Sequence, residues 1–415
     1  MMRSLEDAQN ILSKAALRLF SFPPNIELIP LWEAGGRVLA KEIKSREDVP
    51  AFDRSLVDGF ALLASDTARA TADYPVTLKI VDSIAAGTCS SKKLIPGTAM
   101  KIFTGAPLPE GADSVIKKEE VVEAVFGSGN DAVIMVNSAV AKGEGTALRG
   151  EDIVAGECMF AEGTVLTSAH MGVLATLGVE PVPVYTRPQV GVFSTGNELV
   201  DVRSQLKTGQ LRVSNIYTLA EIIRQAGGIP VNLGVVKDRV ESVLEVYAKT
   251  RRLGLPMVVS TGGTASGDYD VIKTAMDMVA VRLFNKVAIR PGAPAVVSVR
   301  EGEQLLIGLS GNPAGATVAM LLLIYPLIAR LAGANRQLEC VQGKLTKPLF
   351  RQGGVRGFLW ANYCHQKAEV YVTPFENQYC GSIKTYANSN CLIEIPAGKV
   401  NLAANEPVTI WKLPE

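Results

Sequence analysis

Three stretches of this chain end in the same way. Gly191-Val-Phe-Ser-Thr-Gly-Asn197, Val258-Val-Ser-Thr-Gly-Gly263 and Ile307-Gly-Leu-Ser-Gly-Asn312 each carry an apolar run into a hydroxyl, then glycine, then a small residue. The second continues through Thr-Ala-Ser-Gly-Asp-Tyr to Asp270, where an amphipathic segment begins. Gly262, Gly263 and Gly267 admit backbone angles that place several N–H groups around one anion at a helix N-terminus. No Gly-Lys-Ser/Thr follows, and the spacing is not that of the dinucleotide fingerprint, so neither common nucleotide motif applies. Taken singly, each turn reads equally well as a tight strand-to-helix connection without a ligand. Three of them argue for a site.

Around these turns stand the carboxylates Glu198, Asp238, Asp268 and Asp270, the hydroxyls Ser194, Thr195, Ser260, Thr261 and Ser266, and the cations Lys286 and Arg290. Carboxylates set among anion-cradling amides make chemical sense when a hard divalent cation such as Mg²⁺ bridges them to phosphate oxygens. Each residue also has a plainer reading: Asp270 as a helix cap, Lys286 as a solvated strand-end charge, Asp58 before Gly59 as a turn former.

To bring the turns together, their strands must run in parallel, which puts all three on the carboxyl edge of one sheet. The pattern supplies such a sheet. Gln189–Phe193 reads as a strand, about Asn215–Ala226 as a helix, Pro230–Val236 as a strand, Val240–Leu253 as a helix and Pro256–Ser260 as a strand. A helix over Asp270–Met278, strands near Val281–Ile289, Ala295–Val299 and Leu305–Leu309, and a helix from Ala314 complete a doubly wound α/β domain. Asp238 follows the second strand and falls on the same edge. Before this domain, short β runs at Val76–Val81, Ala99–Phe103, Ser114–Ile116 and Ala132–Val136 form a compact β module, with Thr104 at a strand end. After Gly333, short alternating runs indicate a small β-barrel or sandwich. The fold class is therefore multidomain α/β plus β.

Composition narrows the partners. The chain has 415 residues, 47% of them hydrophobic, and a formal net charge of +1 without long like-charged runs, which disfavours nucleic acid and a polybasic membrane patch. Its six cysteines form no Cys-x-x-Cys pair, and its histidines are His170 and His365 alone, so no zinc or iron–sulfur ligand set is present. The N-terminal stretch is an amphipathic helix with Ser4 and Asp7 placed to cap it rather than a signal peptide. The most apolar run, Val318–Ala329, is shorter than the roughly 20 residues a bilayer requires and contains Pro326. It reads as a buried helix, and a cytoplasmic location is expected.

The motifs Ser194-Thr-Gly-Asn-Glu198, Gly262-Gly-Thr-Ala-Ser-Gly-Asp-Tyr-Asp270, Arg290-Pro-Gly-Ala-Pro294 and Gly311-Asn-Pro313, preceded by Phe52-Asp-Arg-Ser-Leu-Val-Asp-Gly-Phe60 and Phe103-Thr-Gly-Ala-Pro107, occur in one order along nearly the whole chain. In this the chain resembles the molybdopterin molybdenumtransferase family, which includes the E domain of gephyrin. The resemblance implies four parts: a split N-terminal α+β domain (1–45 and 147–187), an inserted β module (46–146), a molybdopterin-binding α/β domain (188–333) and a C-terminal β-barrel (334–415). It implies insertion of molybdate into adenylylated molybdopterin with release of AMP, assisted by Mg²⁺, in a homodimer whose site is completed by the β module of the second subunit. Carried over by motif, the catalytic candidates are Asp58, Thr104, Asp152, Glu198, Asp238, Asp270 and Lys286, with Glu198, Asp238 and Asp270 as metal ligands. The substrate-binding candidates are Ser194, Thr195, Gly196, Asn197, Gly262, Gly263, Ser266, Gly267, Arg290, Gly311, Asn312 and Pro313. Arg54, Arg290, Ala293 and Ser310 depart from the family pattern, which has Asn, Lys, Lys and Pro there. Two other classes fit the residues: a paralogue that binds the pterin or a partner protein without turnover, and a generic Mg-dependent nucleotide or phosphosugar enzyme.

Overall fold

The computed structural model of the chain describes residues 2–126, 131–263, 270–300, 302, 304–350, 354–366, 369–379 and 381–414. The chain forms two compact units, one of Met1–Lys41, Glu162–Ala175 and Val179–Glu415, the other of Glu42–Ala161 with Thr176–Gly178.

The smaller unit is built on six strands: β1 (Gly59–Leu62), β2 (Val76–Ile84), β3 (Thr98–Ile102), β4 (Ser114–Lys117), β5 (Val121–Phe126) and β6 (Asp131–Val136), in the spatial order β4-β1-β3-β2-β6-β5. Side chains alternate between two apolar clusters, Phe60, Leu62, Leu78 and Ile134 in one, Ala61, Ile84, Met100 and Val115 in the other, so both faces are covered. Strand β1 is hidden in the sequence because it opens at Gly59, a residue that reads as a turn. Here glycine answers a close approach instead: a Cβ at Gly59 would fall 1.8 Å from the Ile116 carbonyl oxygen of β4.

The larger unit opens with α1 (Leu5–Leu19), whose first turn is capped by Ser4 Oγ accepting the Asp7 N–H at 3.0 Å. Its sheet then alternates with helices: β7 (Gln189–Thr195), α2 (Asn215–Gln225), β8 (Ile229–Val236), α3 (Val240–Arg252), β9 (Met257–Thr261), α4 (Val271–Val279), β10 (Val281–Lys286), β11 (Pro294–Arg300), β12 (Gln304–Leu309) and a helical run α5 (Pro313–Leu331). The strands stand in the order β8-β7-β9-β12-β11-β10. The first four are parallel, which sets the three glycine turns on one edge as their spacing predicts. Strands β11 and β10 are antiparallel to their neighbours, because the chain between β10, β11 and β12 holds no crossover helix. Consequently β10 points the same way as β12 and delivers Lys286, in register with Pro294, to that same edge.

Helices cover both faces, as a doubly wound fold requires. Leu5 and Leu12 of α1, Leu219 and Ile223 of α2 and Leu321 and Ile328 of α5 pack with Val190 and Val192 on one side. Val243 and Tyr247 of α3 and Ile272 and Met276 of α4 pack with Phe193 on the other. The expected strand over Val281–Ile289 is two pieces. It ends at Lys286, and Ile289–Arg290 leaves the sheet to pair with Arg356 and Gly357.

The α5 run is longer than the apolar stretch expected from sequence. An 18-residue stretch of this 19-residue run has a mean hydropathy of 1.8 and is 89% buried inside the protein, as for a core helix. Pro326 has no N–H to give the Leu322 carbonyl four residues back, and Gln9 Nε2 of α1 donates to that oxygen at 2.7 Å instead. The backbone takes up the disturbance as a π-helical turn over Met320–Ile324.

The C-terminal strands β13 (Cys340–Leu345), β14 (Arg356–Gln366), β15 (Glu369–Pro374), β16 (Cys391–Ile395) and β17 (Pro407–Lys412) close into a ring. Strand β14 pairs β15 and β16, β15 pairs β13, β13 pairs β17, and β17 pairs β16. This is a five-stranded barrel rather than a sandwich, with Leu345, Val372, Ile393 and Ile410 among the residues filling it.

Candidate active site

At the carboxyl edge of β7, β9 and β12 the larger unit encloses a cavity of about 570 Å³. All three glycine turns line it, through Thr195-Gly196, Thr261-Gly262-Gly263 and Ser310-Gly311-Asn312. A chain of buried polar groups ties them together. Ser194 Oγ and Thr261 Oγ1 lie 2.8 Å apart, and Asn215 Nδ2 donates to Thr261 Oγ1 at 3.3 Å and to the Gly311 carbonyl at 2.9 Å. The backbones are in contact as well: a Cβ at Gly262, whose φ is +94°, would fall 2.3 Å from the Thr195 carbonyl oxygen, and one at Gly311 would fall 3.2 Å from Gly262 Cα.

Two helices begin at the cavity, α2 at Asn215 and α5 at Pro313, so the positive ends of two helix dipoles face it. Asn312 caps α5 by accepting the Ala314 N–H at 3.2 Å. Opposite sits negative charge. Glu198 folds back over Gly196, where a Cβ would meet its Oε2 at 2.7 Å, and Asp238 follows β8 on the same edge.

Two atoms in this cavity lack partners. Thr195 Oγ1 and Asp238 Oδ1 are both shielded from solvent and neither makes a hydrogen bond among the described residues. They converge on one point, since a Cβ built on Gly263 would lie 3.3 Å from Thr195 Oγ1 and 3.4 Å from Asp238 Oδ1. An unsatisfied buried oxygen costs about 1–3 kcal/mol, and a fold carrying two at one spot is arranged for something that binds there.

Among the described residues, no three His, Cys, Asp or Glu side chains come together as a metal-holding group. The cavity offers two carboxylates, Glu198 and Asp238, one with a free buried oxygen. That donor set fits Mg²⁺ in its usual mode, one or two carboxylates with the remaining positions filled by substrate phosphate and water. Asp270 does not line the cavity; it caps α4, its Oδ1 accepting the Lys273 N–H at 2.9 Å. Burial lifts its carboxyl above the ordinary value, opposed by that N–H and by the charges of Lys273 and Arg282. A carboxyl raised in the folded state binds its proton more tightly folded than unfolded. Ionisation therefore costs stability at pH values above the folded pKa, and the cost disappears as pH falls below the unfolded value. Asn and Asp cap helices about equally well, so Asp270→Asn should melt at or above the wild-type temperature at neutral pH, with the difference closing in acid. Thermal melts across pH check this; a wild type more stable at neutral pH would reverse the sign.

The other expected residues distribute as follows. Ser194, Thr195, Gly196, Gly262, Gly263, Gly311, Asn312 and Pro313 line the cavity. Asn197 is adjacent, its Oδ1 accepting the Asp238 N–H at 3.4 Å. Lys286 and Arg290 are exposed and outside the lining, although Pro294, the register partner of Lys286, belongs to it. Ser266, Gly267 and Asp268 lie outside the described residues.

Asp58, Thr104 and Asp152 belong to the smaller unit. Asp58 Oδ1 accepts both the N–H and the hydroxyl of Thr104, each at 2.8 Å, and these bonds, the N–H foremost, hold the Asp58 carboxyl below its ordinary value. The pair is thus a fixed, ionised carboxylate with its hydroxyl partner. Asp152 is exposed, its N–H bonded to the Val49 carbonyl.

Asn215 is the residue sequence reading passed over. It was legible as the start of a helix but not as the link between two turns; the available signal was Ser214-Asn215 opening a helix on the ligand-binding edge of a parallel sheet. Arg212, Ser214 and Ser310 also line the cavity. A second cavity of about 570 Å³ lies beside α1 and α5, and two pairs of its polar groups bond to each other. There Arg330 Nη1 donates to Ser13 Oγ at 2.7 Å, and the Tyr185 hydroxyl donates to Glu162.

Family models match along the chain in the same order as these units and motifs: the MoeA N-terminal region (domain I and II) over residues 3–178, a probable molybdopterin binding domain over 191–330, and the MoeA C-terminal region (domain IV) over 342–413. The molybdopterin molybdenumtransferase of Bacillus subtilis (strain 168) is 32% identical over 391 residues, covering 94% of this chain and 90% of its own length. That of Nostoc sp. (strain PCC 7120) is 31% identical over 420 residues, covering 100% and 94%. Crystal structures of the molybdopterin biosynthesis MoeA protein of Pyrococcus horikoshii superpose with a TM-score of 0.80 at 30% identity, covering 99% of both chains, and 0.78 at 27%, covering all of both. With its three glycine turns gathered at one sheet edge and relatives matched over nearly its whole length, the chain belongs to the molybdopterin molybdenumtransferase family.

Proposed function

We propose that the chain is a transferase that inserts molybdenum into molybdopterin, taking the pterin in its adenylylated form, using molybdate as the metal source and releasing AMP. The observation that carries this reading is the convergence of Thr195 Oγ1 and Asp238 Oδ1, both buried and unpartnered, beside Gly263 among three glycine turns. A pyrophosphate linkage would supply the acceptor that the Thr195 hydroxyl lacks, and a cation bound with it would supply the counter-charge that Asp238 Oδ1 lacks. The pyrophosphate oxygens accept from the turn amides and the Thr195 hydroxyl, and they lie at two helix N-termini, where negative charge is stabilised. Glu198 and Asp238 would hold a Mg²⁺ ion, which when bound offsets the charge of the phosphate oxygens. The chain Ser194–Thr261–Asn215–Gly311 keeps the turns at fixed separation, so the donors are in place before substrate arrives.

With this reading go the four-part division of the chain, a cytoplasmic location and a homodimer in which Asp58 and Thr104 of one copy serve the cavity of the other. The test is AMP release from adenylylated molybdopterin on adding molybdate and Mg²⁺. Wild type should release AMP, and Asp58→Asn and Asp238→Asn should each lose most of that activity. A mixture of the two variants should regain part of it, because one composite site per dimer then holds both native residues. AMP release by neither wild type nor mixture, with pterin binding intact, would replace this reading with the non-catalytic paralogue.

A further inference from the structure

Helix α2 has a second charged end. Its N-terminus is at the candidate cavity, and 11 residues on, roughly 16 Å along the axis, its C-terminus meets four arginines. Arg37, Arg187, Arg224 and Arg336 line a separate cavity of about 180 Å³ with Gly36 and Gly227 in its wall. Charge there does not balance. Arg37 pairs with Glu27, and Arg224 pairs with Glu221 at 2.8 Å. Arg187 and Arg336 meet no carboxylate among the described residues. Arg187 Nε and Nη2 donate to the Gly227 and Gly228 carbonyls at 3.1 and 2.8 Å, and Arg336 Nη1 donates to the Gln225 carbonyl at 3.3 Å. Four guanidiniums thus face two carboxylates and the half charge of a helix end, which leaves more than one positive charge uncompensated.

Capping the C-terminus of α2 accounts for the carbonyl contacts but not for the number of arginines. A guanidinium carries five N–H donors; Arg187 spends two here and Arg336 one. Arg187 is also held below its ordinary pKa, by burial first and then by the charge of Arg37, with Glu27 opposing and Arg224 adding to the repulsion, which a bound anion would relieve. Like charges converging on a small cavity, with unused donors in fork geometry, are the arrangement by which proteins recognise phosphate.

We propose that the four-arginine cavity at the C-terminal end of α2 binds a phosphate dianion, either free or as the phosphate group of a small metabolite. This site is independent of the reaction proposed above, lying at the opposite edge of the sheet.

Inorganic phosphate titrated calorimetrically into the full chain, in a chloride buffer, provides the test. Wild type should bind, and Arg224→Gln and Arg336→Gln should each weaken binding about tenfold or more, the value of one charge-assisted hydrogen bond. Arg187→Lys, which keeps the charge and removes the fork, should also weaken it. Phosphate drawn to the glycine turns of the candidate active site is retained in both arginine variants, so the difference between their isotherms and that of wild type reports the four-arginine cavity alone. Tighter binding of a simple phosphomonoester than of phosphate would assign the ligand to a phosphorylated metabolite, and weaker binding to free phosphate. Phosphate binding that is absent in wild type at millimolar concentration, or unaltered in both Arg224→Gln and Arg336→Gln, would overturn the proposal and leave the arginines as a helix cap.

Discussion

Asp238→Asn should reduce turnover by about 10²–10³ while leaving the melting temperature within a degree or two of wild type, the magnitude found when one preorganised electrostatic group is removed from a site. The separation of the two effects follows from its surroundings. Asp238 Oδ1 bonds to nothing among the described residues, and the backbone bond at this position, its N–H to Asn197 Oδ1, survives the change. Replacing an unpartnered buried carboxylate with a neutral isostere removes a desolvation cost. Glu198→Gln should behave alike, since Glu198 is exposed and folds over Gly196 without supporting the core. If these carboxylates hold Mg²⁺, both variants should also need a higher Mg²⁺ concentration for half-maximal AMP release. Full turnover in Asp238→Asn, or a melting point lowered as by a core substitution, would remove Asp238 from the proposed site.

Much of the α/β domain is legible because its strands are buried on both faces and its helices carry one apolar stripe. Continuous runs such as Met257–Thr261 and periodic ones such as Asn215–Gln225 are distinct signals, and the observed boundaries fall within a residue or two of the expected ones. What hides is whatever depends on partners distant in sequence. Strand β1 is four residues long and starts with glycine for a reason located in β4. The split of Val281–Arg290 between two sheets depends on a barrel strand some 70 residues later, through the pairing of Ile289 with Arg356. The π-turn of α5 combines Pro326, visible locally, with Gln9 from the opposite end of the chain.

The site shows the same division. Glycine-hydroxyl turns announce themselves by composition, and their common edge follows once the strands are parallel. Which of several carboxylates faces the cavity does not follow. Asp238 and Asp270 stand equally near a strand or helix end in sequence, yet one presents a bare oxygen to the cavity and the other is occupied as a cap. Asn215 carries no catalytic signature at all, and its importance is a matter of reaching Thr261 and Gly311 at once.

Gly262→Ala should be the most damaging single methyl group in the cavity. Its φ of +94° is a conformation that a side chain disfavours by about 1–2 kcal/mol, and its Cβ would fall 2.3 Å from the Thr195 carbonyl oxygen and 2.8 Å from Thr195 Oγ1. Neither neighbour can yield cheaply. The Thr195 carbonyl is backbone at the end of β7, which is paired on both sides, and Gly262 itself lies against Gly311. Relief therefore means separating two turns that Ser194, Thr261 and Asn215 hold together, with overpacking adding about 1–3 kcal/mol. A displacement near 1 Å of groups positioned for reaction is worth about 10² in rate, so turnover should fall at least that far even in the molecules that remain folded. Gly254→Ala supplies the control: its φ is +65°, but nothing lies within 4 Å of the added Cβ, so it should carry the conformational cost alone, roughly 1 kcal/mol, with normal AMP release. Melting temperatures and AMP release measured on the two variants side by side decide the matter. Equal behaviour would mean that the turns do not depend on this close approach, and that the cavity tolerates more movement than its hydrogen bonds imply.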